Sequence, residues 1–270
     1  MKKVIEKGAL ERKREIKCYA EQNVLELACV FDVEKKKWDG RICREFEIKQ
    51  GHHVKVWAHP LYGFLNEFDA NVLFVIFFLL GDEPAGSVVV TKYRLAKTMG
   101  VSVDSKTYRA LDISISKLTH SVVETTFFFD YETKERIKVG LNFIDSYRVT
   151  KNKIEIMLGR ALRESVKKYY LKKISLTKIL KLKGLAKLFY LFLAKRCNGR
   201  FEAKIETLLR VIGKKEEYDR LRKGERKKRI KRYIIPAVMK AAAELGYEAK
   251  VDAERRKVVL EKLKENIRRH

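Results

Sequence analysis

The sequence predicts an α+β protein of two tandem winged-helix domains that repeat one pattern, preceded by a β-rich N-terminal extension. Two helical segments that are apolar on every side, Val72–Leu80 and Leu185–Ala194, lie one in each half of the 270-residue chain. Each is followed by a short helix ending in glycine, a longer amphipathic helix and a pair of β stretches around a polar turn. Helix, strand, helix, turn, helix and hairpin is the order of elements in a winged helix.

The N-terminal extension is predicted from two stretches suited to β-strands, Val24–Val33 and Arg41–Ile48. They flank the basic segment Lys35–Gly40, which ends in an Asp-Gly pair typical of hairpin turns. Cys29 and Cys43 therefore lie on either side of a predicted hairpin. The predicted division of the whole chain is extension, first winged helix, connecting helix and second winged helix: residues 1–55, 56–158, 159–175 and 176–270.

The first domain is predicted around its apolar helix. Asn66 and Asp69 open that helix, and a helix apolar all round must lie at the centre of a core. The short β-branched stretch Ser87–Thr91 separates it from Arg94–Gly100, whose glycine is a natural helix C-cap.

The next helix of this domain is capped by Asp104 or Ser105 and is predicted to be its recognition helix. One stripe of this helix is predicted to be buried: Tyr108, Leu111, Ile115 and Leu118. The predicted wing is the pair Val122–Asp130 and Ile137–Phe143.

Between the domains the sequence predicts another hairpin and a helix. Tyr147–Val149 and Lys153–Met157 flank the polar turn Thr150–Asn152. A connecting helix is predicted from Arg160 to Lys173.

The second domain repeats the first. Thr207–Gly213 aligns without a gap with the helix that ends at Gly100, and a basic segment, Arg220–Leu245, follows it. The inward face of that segment is predicted from its apolar residues: Ile230, Ile234, Val238, Ala241 and Leu245. After Gly246, the stretches Tyr247–Val251 and Lys257–Leu263 form the predicted wing.

The net charge of +26 is concentrated in one part of the chain. Residues 151–232 carry 28 Lys and Arg against 8 Asp and Glu, whereas residues 1–150 carry 24 against 21. Proteins of hyperthermophiles also accumulate charged residues, and this chain has only two Gln and seven Asn. That origin adds both signs together, so the excess predicts a polyanionic partner, with nucleic acid the leading candidate.

The location predicted from the sequence is the cytoplasm. The first residues lack the apolar core of a signal peptide, and the longest apolar run, Val72–Leu80, is too short to span a bilayer. In a reducing cytosol the four cysteines are expected to be buried free thiols.

Three stretches resemble the plasmid replication initiators of the initiator-protein-A type, relatives of the tandem winged-helix Rep proteins. The first is Tyr62-Gly-x-x-x-x-Phe-Asp-x-x-Val-Leu73, and the second is Ile154-Glu-Ile-Met-Leu158. The third is Leu188-Phe-Tyr-Leu-x-Leu-Ala-Lys-Arg-Cys197, followed after a short polar segment by Ile205-Glu-x-Leu-Leu209. Their order and the doubled domain carry the resemblance over residues 60–250.

The resemblance implies a protein that binds direct repeats in double-stranded DNA at an origin, helps to open the adjacent duplex and recruits host replication proteins. It also implies repression of the protein's own promoter by a homodimer, with a monomer–dimer equilibrium. In such families the second winged helix dominates repeat recognition, while the first serves dimerisation and backbone contacts. The uneven charge of the two halves agrees independently with that division.

The predicted DNA contacts lie on the outward face of the basic segment. Arg229 and Arg232 are predicted to reach base edges, because the arginine fork suits guanine. Lys227, Lys228 and Lys231 are predicted to contact phosphate. Three further residues are predicted DNA contacts: Arg226, Lys214 and Lys215. Pro236 either kinks this helix or begins it, in which case residues 226–232 form a basic arm.

Two further pairs are weaker candidates for DNA contacts. Arg255 and Arg256 lie at the predicted tip of the second wing, where they reach phosphate or minor groove or form a solvated turn. Lys106 and Arg109 open the first recognition helix and are predicted to make positioning contacts only.

The sequence contains no predicted catalytic, metal or cofactor site. Tyr169-Tyr170 resembles the nucleophile segment of rolling-circle nicking initiators, but no histidine pair has the spacing that holds their metal, so these tyrosines are predicted to be interfacial or core aromatics. There is no P-loop motif and no C-x-x-C pair. The remaining alternative is a tandem winged-helix transcription regulator or chromosome-associated protein without a role in initiation.

Overall fold

The computed structural model describes residues 15–33, 40–81, 86–151, 153–252 and 256–263 as a mixed α/β protein. Its helices are α1 (Gln22–Glu26), α2 (Glu67–Leu80), α3 (Lys92–Met99), α4 (Ser105–His120), α5 (Arg160–Lys167), α6 (Leu176–Lys181), α7 (Leu185–Arg196), α8 (Ile205–Val211), α9 (Lys215–Asp219), α10 (Lys223–Arg229) and α11 (Ile235–Leu245). Its strands are β1 (Lys17–Glu21), β2 (Cys43–Lys49), β3 (His52–Trp57), β4 (Ser87–Val90), β5 (Val122–Phe129), β6 (Arg136–Leu141), β7 (Ile144–Thr150), β8 (Lys153–Leu158), β9 (Leu171–Ser175), β10 (Phe201–Lys204), β11 (Tyr247–Asp252) and β12 (Lys257–Lys262). Within these ranges, no helix combines the length and the apolar composition that crossing a membrane requires.

Helices α2 and α7 lie at the centres of the two halves, as their apolar sequences predict. The Asn66 side chain accepts hydrogen bonds from the backbone N–H groups of Phe68 and Asp69, and the Asp69 carboxylate accepts one from the N–H of Asn66. This reciprocal capping box sets the start of α2. Almost every side chain of α7 is buried, and α11 packs along it.

Two three-stranded sheets have the same order in the two halves, β4-β8-β7 and β10-β12-β11. In each, a short strand between two helices pairs antiparallel with the second strand of a later hairpin. Helices α3 and α8 are each followed by a left-handed glycine, Gly100 or Gly213, each with φ of 68°. The internal repeat therefore extends from the sequence to the strand order.

The hairpin predicted as the first wing belongs to another sheet, so this prediction is wrong. Strands β5 and β6 join β2 and β3 in a four-stranded sheet of order β2-β3-β5-β6. The hairpin that pairs with β4 is β7–β8, which the sequence placed between the domains. Strand pairing depends on tertiary contacts that local sequence does not encode.

The predicted β structure at Val24–Val33 is also wrong. This stretch forms α1 and a 3-10 turn, Ala28–Val30, both packed against α7 of the second half. The partner of β2 is β3, while the segment Lys35–Asp39 lies outside the described residues. Cys29 is buried and Cys43 is partly buried, and neither forms a disulfide.

The predicted connecting helix is shorter than expected. Helix α5 ends at Lys167, and the remaining residues form β9, which pairs antiparallel with β1. The register sets Tyr19 opposite Lys173 and Glu21 opposite Leu171. The N-terminal segment is thus joined to the second half of the chain.

Glu21 is wholly buried at this junction. Its carboxylate accepts hydrogen bonds from the Asn23 side chain at 2.9 Å and from the Val24 N–H at 2.8 Å. Burial nevertheless raises the pKa of Glu21 to about 7. The group therefore contributes stability that is complete below its ordinary pKa of 4.5 and is lost as pH rises through about 7.

We expect the wild-type chain to lose about 2 kcal/mol of unfolding free energy between about pH 5 and about pH 7.5 from this group alone. Glu21→Gln, which mimics the protonated carboxyl, removes this loss. Urea unfolding at both pH values measures the difference, with exposed Glu135→Gln as the matched control. An identical pH dependence of Glu21→Gln and wild type would contradict the expectation.

Candidate nucleic-acid interface

The predicted DNA-reading segment is one continuous helical stretch from α10 through α11. A π-helical turn, Ile230–Ile234, joins the two helices, and the Ile235 N–H donates to the Ile230 carbonyl five residues back. Pro236 lies in the first turn of α11 and has no N–H to donate to residue 232. The wider π turn absorbs this loss without breaking the helix. The alternative of a non-helical basic arm is therefore wrong.

The apolar stripe of this segment is buried as predicted at three of its positions. Ile234, Val238 and Ala241 have no more than 1% exposure, while Ile230 and Leu245 are partly buried. Four of the predicted contact residues stand on the solvent side: Lys227, Lys228, Lys231 and Arg232. None of these four forms an ion pair with any described residue, and the Arg232 guanidinium lies 5.4 Å from the ring of Tyr233. These four provide free positive charge on this stretch, which also carries the exposed Lys223 and Lys240.

Arg226 and Arg229 are half-buried and hold α10 against α9. Arg226 donates to the Asp219 carbonyl at 2.7 Å and lies 3.4 Å from its carboxylate. Arg229 lies 3.0 Å from a Glu225 oxygen and 3.8 Å from a Glu217 oxygen. The prediction for Arg229 left out both contacts: Glu225 lies four residues earlier on the same helix, whereas the Glu217 contact depends on the position of α9. Its base contact remains a prediction, whereas Arg232 keeps an accessible guanidinium.

The other predicted cations around this segment also have acidic neighbours. Lys214 lies 3.1 Å from Glu217, and Lys215 pairs with Asp219. Because α9 carries three acids, Lys214 and Lys215 are largely compensated locally.

The turn between β11 and β12 is held to the start of α8. Arg256 has a left-handed φ of 49°, its carbonyl accepts from the Ile205 N–H, and its guanidinium lies 3.6 Å from Glu206. Arg255 lies outside the described residues. The turn therefore presents Arg256 beside the α8 helix.

Helices α3 and α4 of the first half present a second basic face. Lys106 and Arg109 are exposed on the first turns of α4, whose N-cap is Asp104. The Thr107 N–H donates to the Asp104 carboxylate at 2.7 Å and lowers the pKa of that group. Arg94 and Lys97 on α3 are also exposed and were not among the predicted contacts. Their positions on the helix, between the buried Leu95, Ala96 and Met99, could have indicated that they are exposed.

Part of the positive charge of residues 151–232 is neutralised by ion pairs within the molecule. Several of its cations pair with acids of residues 15–150: Arg196 with Glu26 at 2.5 Å, Lys168 with Glu132 at 2.6 Å, Lys187 with Glu67 at 3.0 Å, Lys178 with Glu15 at 3.4 Å and Arg210 with Glu47 at 3.9 Å. The net charge of residues 151–232 therefore overstates the positive charge that is available to a partner.

The most buried of these pairs is a feature that sequence reasoning missed. The Lys187 side chain is 0% exposed, and its ammonium donates to Glu67 at 3.0 Å and to Asn71 at 2.7 Å. The other Glu67 oxygen accepts from the Gly184 N–H at 3.0 Å. Burial lowers the pKa of Lys187, and Glu67 opposes that effect. This contact joins the N-terminus of α2 to α7.

The two adjacent tyrosines differ in environment. Tyr169 is 70% exposed, so the core position predicted as one alternative is wrong for it, while an interfacial position stays a prediction. Tyr170 is half-buried, with its hydroxyl 2.6 Å from the Lys195 ammonium. Burial raises the pKa of Tyr170 to about 12. Its phenol therefore stays protonated near neutral pH, unlike an activated nucleophile.

Comparison with known proteins identifies a family and a fold. A family model described as replication initiator protein A matches residues 20–237. A crystal structure of a selenomethionine derivative of domains 2 and 3 of RctB superposes with a TM-score of 0.60 at 10% identity, covering 90% of this chain and 98% of that one. A second structure of RctB domains 2–3 gives 0.55 at 10% identity, with 88% and 96% covered. At this identity the likeness is one of fold, and no curated protein sequence matches the chain.

Proposed function

The chain belongs to the replication initiator protein A family, and we propose that it initiates replication by binding direct repeats in double-stranded DNA at an origin. The observation that carries the DNA-binding step is the group of four cations on α10 and the π turn, Lys227, Lys228, Lys231 and Arg232. They are exposed on one helical stretch and have no described acidic partner. Phosphate backbones and guanine edges are the natural partners of such a helix face.

We propose that each half is a winged helix, with β7–β8 and β11–β12 as the wings. The common strand order of the two three-stranded sheets supports this assignment. In a helix-turn-helix arrangement the second helix enters the major groove. The stretch α10–α11 would then read the repeat, and α4 with α3 would contact the backbone through Lys106, Arg109, Arg94 and Lys97.

We propose that the first half also mediates self-association in a monomer–dimer equilibrium. We further propose that the protein recruits host replication proteins and represses its own promoter. Strand β7 is the edge of its sheet, and from Asp145 to Thr150 all its residues are exposed. Tyr147 and Val149 are among them, and an exposed apolar edge strand is suited to pairing with another chain.

The proposed role contains no catalytic step. Opening of the duplex would follow from binding energy, and the protonated phenol of Tyr170 argues against strand cleavage by this residue. The exposed Tyr169 has no described carboxylate or histidine contact that would activate it.

Replication in trans tests this role against that of a transcription regulator. A replicon that carries the repeats but lacks its own initiator gene should be maintained only when the chain is supplied from a second plasmid. Lys228→Ala/Arg232→Ala should abolish maintenance, whereas Lys138→Ala/Lys183→Ala, which removes equal charge from other exposed sites, should not. Repeat binding and promoter repression without maintenance would instead identify a regulator.

A further inference from the structure

A cleft of about 350 Å³ lies between the β1–β9 sheet and the β11–β12 hairpin. Residues of β1 and β9 form one wall, the end of α11 with β11 and β12 forms the other, and Tyr190 and Ala194 of α7 line it as well. The two walls come from the N-terminal segment and the last hairpin, so the chain must be fully folded to form the cleft.

Lysines dominate the charged lining of this cleft. Lys178 is used internally, since it donates to the Glu244 carbonyl and lies 3.4 Å from Glu15. Lys172, Lys173 and Lys262 form no ion pair with any described residue, and each lines the cleft. Three uncompensated ammonium groups around one cleft favour a ligand with several negative charges.

An aromatic ring stands beside one of these lysines, Lys173. Tyr19 lies opposite Lys173 in the β1–β9 register, and the Lys173 ammonium is 5.5 Å from the centre of its ring. Tyr19 is 37% exposed on the outer face of this sheet. Exposed rings next to lysines are the arrangement on which unpaired nucleic-acid bases stack while their phosphates are neutralised.

The cleft is separate from the proposed duplex-reading face. Glu244 and Leu245 line it at the last turn of α11, about 24 Å along the helical axis from Lys228 at about 1.5 Å of rise per residue. Its volume suits a nucleotide unit rather than a duplex, whose major groove alone is about 12 Å wide.

We propose that this cleft, with Tyr19 at its edge, binds single-stranded DNA while α10 holds the duplex. Phosphates contact Lys172, Lys173 and Lys262, and a base stacks on Tyr19. The source of the strand, an opened origin, rests on the proposed function. Binding itself does not, because it is measured without an origin.

Fluorescence anisotropy of a labelled oligothymidylate of about 16 nucleotides tests the proposal with the full chain. Lys172→Ala/Lys173→Ala/Lys262→Ala should weaken single-strand binding at least about tenfold and make the slope of log affinity against log salt shallower by about 2, at about 0.7 per phosphate. Binding of a duplex repeat should be unchanged. Lys49→Ala/Lys138→Ala/Lys183→Ala, with the same charge loss at other exposed positions, should behave as wild type.

Tyr19→Ala and Tyr19→Phe separate stacking from charge and serve if the triple variant fails to fold. The alanine variant should weaken single-strand binding about fivefold or more, and phenylalanine should retain it. Equal affinities of the cleft and control variants, equal losses on duplex and single strand, or equal behaviour of Tyr19→Ala and wild type would each overturn the proposal. A wild-type chain that binds the repeat but no oligothymidylate would overturn it too, while leaving the proposed function intact.

Discussion

Lys228→Ala/Arg232→Ala weakens binding to a duplex repeat by about tenfold to a hundredfold and relaxes its sequence preference. Arg232 keeps an accessible guanidinium, and a bidentate contact to a base edge is worth about 1–3 kcal/mol. Lys228 adds a phosphate contact, so the salt slope should become shallower by about 1. Gel-shift titrations at several salt concentrations, on matched and mismatched repeats, measure both effects.

Arg229→Ala is the informative comparison for this pair. Because Arg229 already lies within ion-pairing distance of Glu217 and Glu225, its removal should lower unfolding free energy as well as affinity. Lys138→Ala/Lys183→Ala controls for the loss of two charges. If Lys228→Ala/Arg232→Ala bound the repeat as tightly as wild type, the α10 stretch would not be the reader.

Lys187→Met should lower the unfolding free energy by about 3 kcal/mol. The ammonium is wholly buried between Glu67 and Asn71, so its removal leaves a carboxylate without its cation. Removing one partner of a buried pair costs about 3–5 kcal/mol, and Glu67 is partly exposed, which reduces the loss. Urea unfolding measures the change.

Lys183→Met makes the same substitution four residues earlier at an exposed site and should stay within about 0.5 kcal/mol of wild type. The double variant Lys187→Met/Glu67→Gln should recover part of the loss, because the unpaired carboxylate is gone. If Lys187→Met lost no more unfolding free energy than Lys183→Met, the Lys187–Glu67 pair would contribute nothing to stability.

The sequence predicted the elements whose signals are local. The capping box at Asn66, the all-apolar runs of α2 and α7 and the glycine C-caps each act within a few residues, so they could be read directly. Val24–Val33 could not, because a short apolar run is compatible with strand or helix, and its packing on α7 decides.

Strand partners were the least predictable feature. The basic strand β9 was predicted to be the end of the connecting helix. Its pairing with β1 joins segments about 150 residues apart in sequence. Similarly, both β5–β6 and β7–β8 have hairpin signals, and only the tertiary arrangement places the second beside β4.

The candidate interface was predicted in outline. Helical periodicity identified the exposed face around Lys228 and Arg232, because exposure opposite a buried stripe is a property of one helix. The contact of Arg229 with Glu217 and the ion pairs of Arg196 and Lys187 depend on acids from other elements. Charge counted along the sequence cannot distinguish an internal ion pair from a free cation.

The π turn at Ile230–Ile234 also fixes a phase relation within one helix. A π turn accommodates one residue more than a regular α-helical turn, and one residue corresponds to about 100° of rotation. The same five residues wound as a regular α-helix would turn the basic run by roughly a quarter of a revolution against the stripe that docks α11 on α7. The π turn beside Pro236 therefore sets the direction in which the basic side chains point, and deleting one residue there would leave that direction nearly unchanged.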